Sequence, residues 1–283
     1  MEQIRQAVLA ASMIAVASSF SLSVAGTAPA SLNPILSANR GVGFGYFGQQ
    51  SNYAETIPGA AADVQNGWTN GLFINGSDNF HLFGIHHWYS ALSFHYANGN
   101  VRYRMGKYGE SAGQTTKTVE AKFGKTFFLN PRMAATPYIF GGYHWWNRSV
   151  THSVADPENY TNGFVGVGGM FQYAPIQHLV LSADAGIGEV VGAGVHGYHL
   201  LGTNTNVAFS LSGRPYYTVG ARANYFFLKH WSLYGGLNYT YYGYGASRPV
   251  NLTAGAYQIT GLQEPSSQTS QFSVDTGLRY TWD

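Results

Sequence analysis

The chain has 283 residues and a formal net charge of +2, and only 10% of its residues are charged, against about 25% in ordinary soluble domains. Its few basic residues are scattered, not gathered into the stripe that a nucleic-acid binder needs. Cysteine is absent, which excludes disulfide staples and thiol catalysis and disfavours a structural zinc site. Aromatics make up 16% and glycines number 36, yet the mean hydropathy is only −0.12, so apolar residues are interleaved with polar ones.

The N-terminus carries one basic residue, Arg5, before an uncharged run from Ala7 to Gly26. Small residues follow as S-x-A at Ser23–Ala25 and A-x-A at Ala28–Ala30. This layout predicts a secretory signal peptide over 1–30, cleaved after Ala25 or Ala30, and a single domain over 31–283. No later stretch reaches the ~18–20 apolar residues of a membrane helix.

Beyond it, segments of period two alternate with turns, and period two is the mark of a strand with two unlike faces. The first, Arg40–Gln49, sets Val42, Phe44 and Tyr46 against Gly41, Gly43 and Gly45. The second, near Gly71–Gly84, is irregular enough to suggest a bulge. The third starts at Trp88 and sets Leu92, Phe94 and Tyr96 against Ser93, His95 and Ala97. The fourth, Thr116–Phe128, sets Val119, Ala121 and Phe123 against Thr118, Glu120 and Lys122. The fifth, Thr136–Asn147, is aromatic on both faces. The sixth (Asn162–Tyr173), seventh (His178–Gly188), eighth (Tyr216–Phe227) and ninth (Trp231–Tyr242) alternate in the same way. The tenth is the closing stretch from Ser273, where Val274, Leu278, Tyr280 and Trp282 oppose Ser273, Asp275, Gly277 and Arg279.

Short connections (GIHH, LNPRM, APIQH, FLKH) alternate with long polar ones, expected to be loops, around 51–65, 106–114, 149–159, 191–213 and 245–268. The alternating segments run ~10–14 residues, longer than the ~5–6 of a sandwich strand and near the ~9–11 that cross a bilayer at a tilt. The polar face is rich in glycine with isolated charges, which suits a crowded lumen better than a water-facing exterior. Only a closed barrel satisfies every backbone group of a sheet in lipid. The expected fold is therefore all-β: a membrane-spanning, antiparallel up-and-down barrel of about ten strands, with eight or twelve as alternatives. Trp88, Phe127, Tyr173, Trp231 and Trp282 lie beside short turns or the chain end. Tyr46, Tyr96, Tyr143 and Tyr241 lie toward the long connections, so two aromatic belts are expected.

The closing stretch resembles the assembly signal of bacterial outer-membrane proteins: a polar residue, glycine, a hydrophobic residue and a terminal aromatic at fixed spacing. Asp275, Gly277, Tyr280 and Trp282 match it in order, with Asp283 one place beyond. With the alternating segments, this makes the chain resemble the Gram-negative outer-membrane β-barrel superfamily over almost all of 31–283. The resemblance implies outer-membrane localisation with periplasmic termini and short periplasmic turns. Its implied partners are membrane lipid and lipopolysaccharide, with periplasmic chaperones and the barrel-assembly machinery during biogenesis. It also implies a small monomeric barrel with no cofactor.

Three functions compete. A structural or surface-interaction protein with a salt-bridged lumen is the leading expectation, a narrow passive pore the alternative and an outer-membrane enzyme the third. Ten-stranded outer-membrane proteases need D-x-D and D-x-H motifs, and the chain has neither. A hydrolytic Ser/His set would draw on His95 or His144 with Ser93 and Asp184, without a spacing that singles them out. The H-x-x-H at His196 and His199 lacks further ligands, and His86 and His87 fall in a turn as interfacial anchors. Six charges fall on polar faces: Glu120, Lys122, Asp184, Arg222, Asp275 and Arg279. They are expected to pair inside the lumen, because an unpaired buried charge is costly. Arg102 and Arg104 share the lipid-facing parity beyond Tyr96 and are expected to contact lipopolysaccharide phosphates, which guanidinium groups bind in a fork.

Overall fold

The computed structural model describes residues 33–56, 59, 61–150, 157–199 and 203–282, so the expected signal peptide lies outside the described residues. Ten long strands carry the fold. They are β1 (Gly41–Thr56), β2 (Asp63–Leu82), β3 (Ile85–Met105), β4 (Tyr108–Lys125), β5 (Met133–Val150), β6 (Glu158–Ile176), β7 (Leu179–Gly197), β8 (Pro215–Leu228), β9 (Trp231–Gly245) and β10 (Ser266–Tyr280). Each pairs antiparallel with its chain neighbours, and β10 pairs with β1, which closes an up-and-down barrel. At the seam Val42 faces Tyr280, and Trp231 faces Tyr280 from the other side. A short strand, Phe127–Asn130, continues β4 beside β5, and Val207–Ser210 adds to β7.

Alternation decides which way every side chain points. Outward-facing Phe44, Leu72, Leu92, Ile139, Val167, Ile187, Val219 and Leu237 are exposed and form a continuous apolar band. Tyr46, Tyr96 and Tyr143 border the band on one side, and Phe127, Tyr173 and Trp282 on the other. The bulge expected in the second segment lies on its partner: between Phe80 and Leu82 one residue of β2 faces two of β3, so the extra residue is carried by β3.

The strands run from 14 to 21 residues, well beyond a bilayer crossing. This corrects the reading of the long connections as loops. Residues 51–56 and 63–65 are strand, and β3 and β4 meet in a tight turn at Gly106–Lys107. The segment after Ser247 forms its own hairpin, Val250–Ala254 with Tyr257–Leu262. The reason is visible in β1, where Ser51, Tyr53 and Glu55 are buried while Asn52 and Thr56 are exposed. Period two continues, but the apolar face has turned inward, as it must where the wall leaves lipid and meets water.

Candidate functional site: the lumen

Three layers fill the barrel, beginning at the short-turn end. A helix absent from the sequence reading, α1 (Pro34–Asn39), sits in that mouth. Asn33 caps it by accepting from the Ile35 amide at 2.9 Å, and Pro34 occupies the first turn, where its missing N–H costs nothing. Ile35 and Ala38 are buried with Ala134, Ala174, Val180 and Phe226 from four strands, β5 to β8. Asn39 and Gln172 exchange two amide hydrogen bonds, at 2.8 and 2.9 Å. Arg40 donates to the Asn79 carbonyl at 2.8 and 3.0 Å. These contacts tie the helix to β2, β6 and the wall between.

Above α1 lies a cavity of about 240 Å³ whose lining includes all six charges read as lumenal. Lys122 reaches Asp184 at 3.0 Å and Glu120 at 3.5 Å, and Tyr138 donates to Asp184 at 3.1 Å. Arg222 lies 3.5 Å from Asp275 and 5.2 Å from the centre of the Tyr234 ring. Arg279 departs from the expected pairing. Its guanidinium donates to Asn75 at 2.9 Å, Ser77 at 2.5 Å and the Gly41 carbonyl at 3.0 Å, not to a carboxylate. The reason is position: Arg279 lies four residues along β10 from Asp275, at a level where β1 and β2 offer neutral acceptors.

The third layer is aromatic. Phe164 and Tyr216 stack at 4.7 Å, Trp146 and Tyr160 at 4.9 Å, and Tyr53 meets Trp146 edge-on at 4.9 Å. With Tyr242, Tyr244, Phe140 and Val190 they form the largest buried cluster. The inward glycines make room for it. At Gly142 a side chain would strike the Phe164 ring, and at Gly168 it would come within 2.7 Å of the Tyr138 ring.

Over this layer, beyond the apolar band, sits an ion-pair knot that the sequence reading missed. Arg148 binds Glu158 at 2.6 Å and Asp63 at 3.0 Å, with its own side chain and that of Asp63 only 4% and 5% exposed. Its guanidinium faces the Tyr53 ring at 5.1 Å. Tyr53 donates to Glu55 at 2.5 Å and Tyr160 to Glu264 at 2.5 Å. Four carboxyl groups thus gather in the knot, two paired with Arg148 and two held by tyrosine hydroxyls. Burial, with Glu158 and Glu55 beside it, pushes the Glu264 carboxyl up to about 9, so it is protonated at neutral pH. The missed signal was parity: Tyr53, Glu55, Trp146, Arg148 and Tyr160 continue the inward rows of their strands.

The remaining candidates fall apart from one another. His144 bonds Thr118 at 2.8 Å and Tyr242 at 3.3 Å, while His95 packs against Phe47 and Phe73. Asp184 is taken by Lys122 and Tyr138, so no hydrogen-bonded Ser/His/Asp set forms from these groups. His196 and His199 are exposed beyond the apolar band. Arg102 and Arg104 are exposed on the outer wall past Tyr96, and Lys117 lies in register between Tyr96 and Trp145. In the closing stretch Asp275 lines the lumen, Tyr280 and Trp282 face outward, and at Gly277 the Phe44 carbonyl leaves no space for a side chain.

No family model and no curated protein matches the chain. Solved structures do. The outer membrane protease OmpT from Escherichia coli is similar with a TM-score of 0.56 at 9% identity, over 86% of this chain and 95% of that one. The transport unit of the autotransporter AIDA-I from Escherichia coli reaches 0.45 at 13% identity, over 86% and 90%. Ail, the attachment invasion locus protein of Yersinia pestis, reaches 0.34 at 11% identity, over 86% and 99%. By fold, the chain is a closed ten-stranded antiparallel barrel, similar to that of the outer membrane protease.

Proposed function

We propose that the protein is an outer-membrane barrel with a structural or surface-interaction role and a lumen that does not conduct, its short turns and chain ends on the periplasmic side. One observation carries this reading: α1 fills one mouth while the aromatic layer and the Arg148 knot fill the other end. A barrel this narrow is stabilised by filling its interior with its own side chains. The tall wall beyond the apolar band offers the surface, including Tyr108 at the β3–β4 turn and Tyr257 at the tip of the 250–262 hairpin, both well exposed. No catalytic residue is assigned.

Planar-bilayer recording of the refolded protein tests the reading, with silence expected. Steady channels whose ion selectivity changes in Arg222→Ala would replace it with the narrow-pore reading, which the charged central cavity favours.

Lipopolysaccharide is the proposed contact of the outer wall. Lys117 stands level with the belt residues Tyr96 and Trp145, and Arg102 and Arg104 stand beyond them along β3, on the side of the headgroup phosphates in this orientation. Arg102→Ala with Arg104→Ala should lower thermal stability in lipopolysaccharide micelles but not in plain detergent. Equal loss in both media would remove the phosphate contact.

A further inference from the structure

The β2–β3 connection is a turn of two residues, Phe83 and Gly84, both in the left-handed region at φ 50° and 77°. Such a turn matches the twist of the flanking strands and fixes their register. Leu82 pairs with Ile85, and the register then slips so that Phe80 pairs with Trp88. One residue of β2, His81, therefore opposes two of β3, His86 and His87. The bulge absorbs the extra residue at His87, which is itself left-handed at φ 66°.

The consequence is a convergence of two imidazoles. His81 Nδ1 and His86 Nδ1 are 3.0 Å apart, with ring centroids at 4.1 Å and planes at 87°. Both side chains are exposed at the short-turn end, past the apolar band, and neither takes part in the lumenal layers. Without a third species, a single proton must be shared between the two nitrogens, one donating and the other accepting. A metal ion can replace that proton. Two imidazole nitrogens on one ion lie about 3.3 Å apart in a tetrahedron and about 2.8 Å apart as neighbours in a square plane. The observed separation falls between these, and exposed rings can pivot by the few tenths of an ångström required.

We propose that His81 and His86 form a two-imidazole site for a transition-metal dication such as Cu²⁺, Ni²⁺ or Zn²⁺, with water completing the coordination. Among the described residues no group of three or more His, Cys, Asp or Glu side chains converges on one point, so the protein supplies two ligands. The affinity should follow the usual order, with Cu²⁺ tightest. The role is distinct from the lumen and from the proposed surface function, and holds whichever way the barrel is oriented.

The test is titration of untagged, refolded protein in detergent micelles with Cu²⁺, followed by calorimetry and electron paramagnetic resonance. One tight equivalent is expected, with nitrogen splittings from two equatorial imidazoles. His81→Ala and His86→Ala should each weaken it by about a hundredfold, since the second imidazole is delivered within the same hairpin. His196→Ala with His199→Ala should leave it unchanged. Heat-modifiable gel migration checks that each variant is folded, and substitution of exposed turn residues should not disturb it. Tight Cu²⁺ binding that survives both single substitutions, or no binding beyond that of empty micelles, would overturn the site.

Discussion

The lower and upper halves of the barrel wall are built from the same period-two strands with opposite polarity. In the lower half Phe44, Leu92, Val167 and Leu237 face outward, and Lys122, Asp184 and Arg222 face a cavity. In the upper half Tyr53, Trp146, Tyr160 and Tyr244 face inward and polar residues such as Asn52 face out. One strand crosses both regimes, as β9 shows by passing from outward Leu237 to inward Tyr242 and Tyr244. The difference teaches where the solvent changes. The greasy face follows lipid in one half and the barrel's own core in the other.

The two halves also treat charge differently. The Lys122 and Asp184 side chains retain 21% and 26% exposure to the cavity, whereas Arg148 and Asp63 retain 4% and 5%. Removing a charge should therefore cost more in the upper half. Arg148→Met leaves Asp63 and Glu158 buried without their cation, and should lower stability by about 3–5 kcal/mol. Lys122→Met should cost less, because Asp184 keeps the Tyr138 hydroxyl and cavity water can reach it. Thermal unfolding of both variants in micelles measures the contrast, and equal losses would erase it.

A packing change should have the next largest effect. Gly142→Val would drive a branched side chain into the Phe164 ring, for a loss of about 1–3 kcal/mol from overpacking. The same change at Gly169, where a side chain would meet nothing within 4 Å, should be near neutral. If the two behaved alike, the aromatic layer would not be the tight element described.

At pH 5, Glu264→Gln should have the smallest effect of these changes. Its carboxyl is raised to about 9 in the folded protein from an ordinary 4.5, so the folded state holds the proton more tightly than the unfolded state. The unfolded chain loses that proton first as pH rises, so this group makes stability fall between about pH 4.5 and 9. Glu264→Gln should leave stability at pH 5 nearly unchanged and flatten the decline toward pH 9. An unaltered pH profile would show that the group is not held neutral.

Much of this was legible because alternation and the scarcity of charge are properties of the chain. The ten strands, their lipid-facing parity and the inward direction of Glu120, Lys122, Asp184, Arg222, Asp275 and Arg279 all follow from period two, which survives any tertiary arrangement. The upper strands were read as loops because their composition is polar outside and aromatic inside. That pattern reverses the lipid-facing one, and reads as loss of a membrane strand unless parity alone is followed.

Sequence alone determined that the chain would alternate, and that a bilayer-length alternating sheet must close on itself. Only the tertiary structure decided what meets across the lumen. Arg148 finds Asp63 from 85 positions away, and Asn39 finds Gln172 from 133. His81 meets His86 only because a bulge shifts the register by one residue. Alternation fixes whether a side chain points inward. Shear and register fix which side chains share a level, and those depend on every strand around the ring at once.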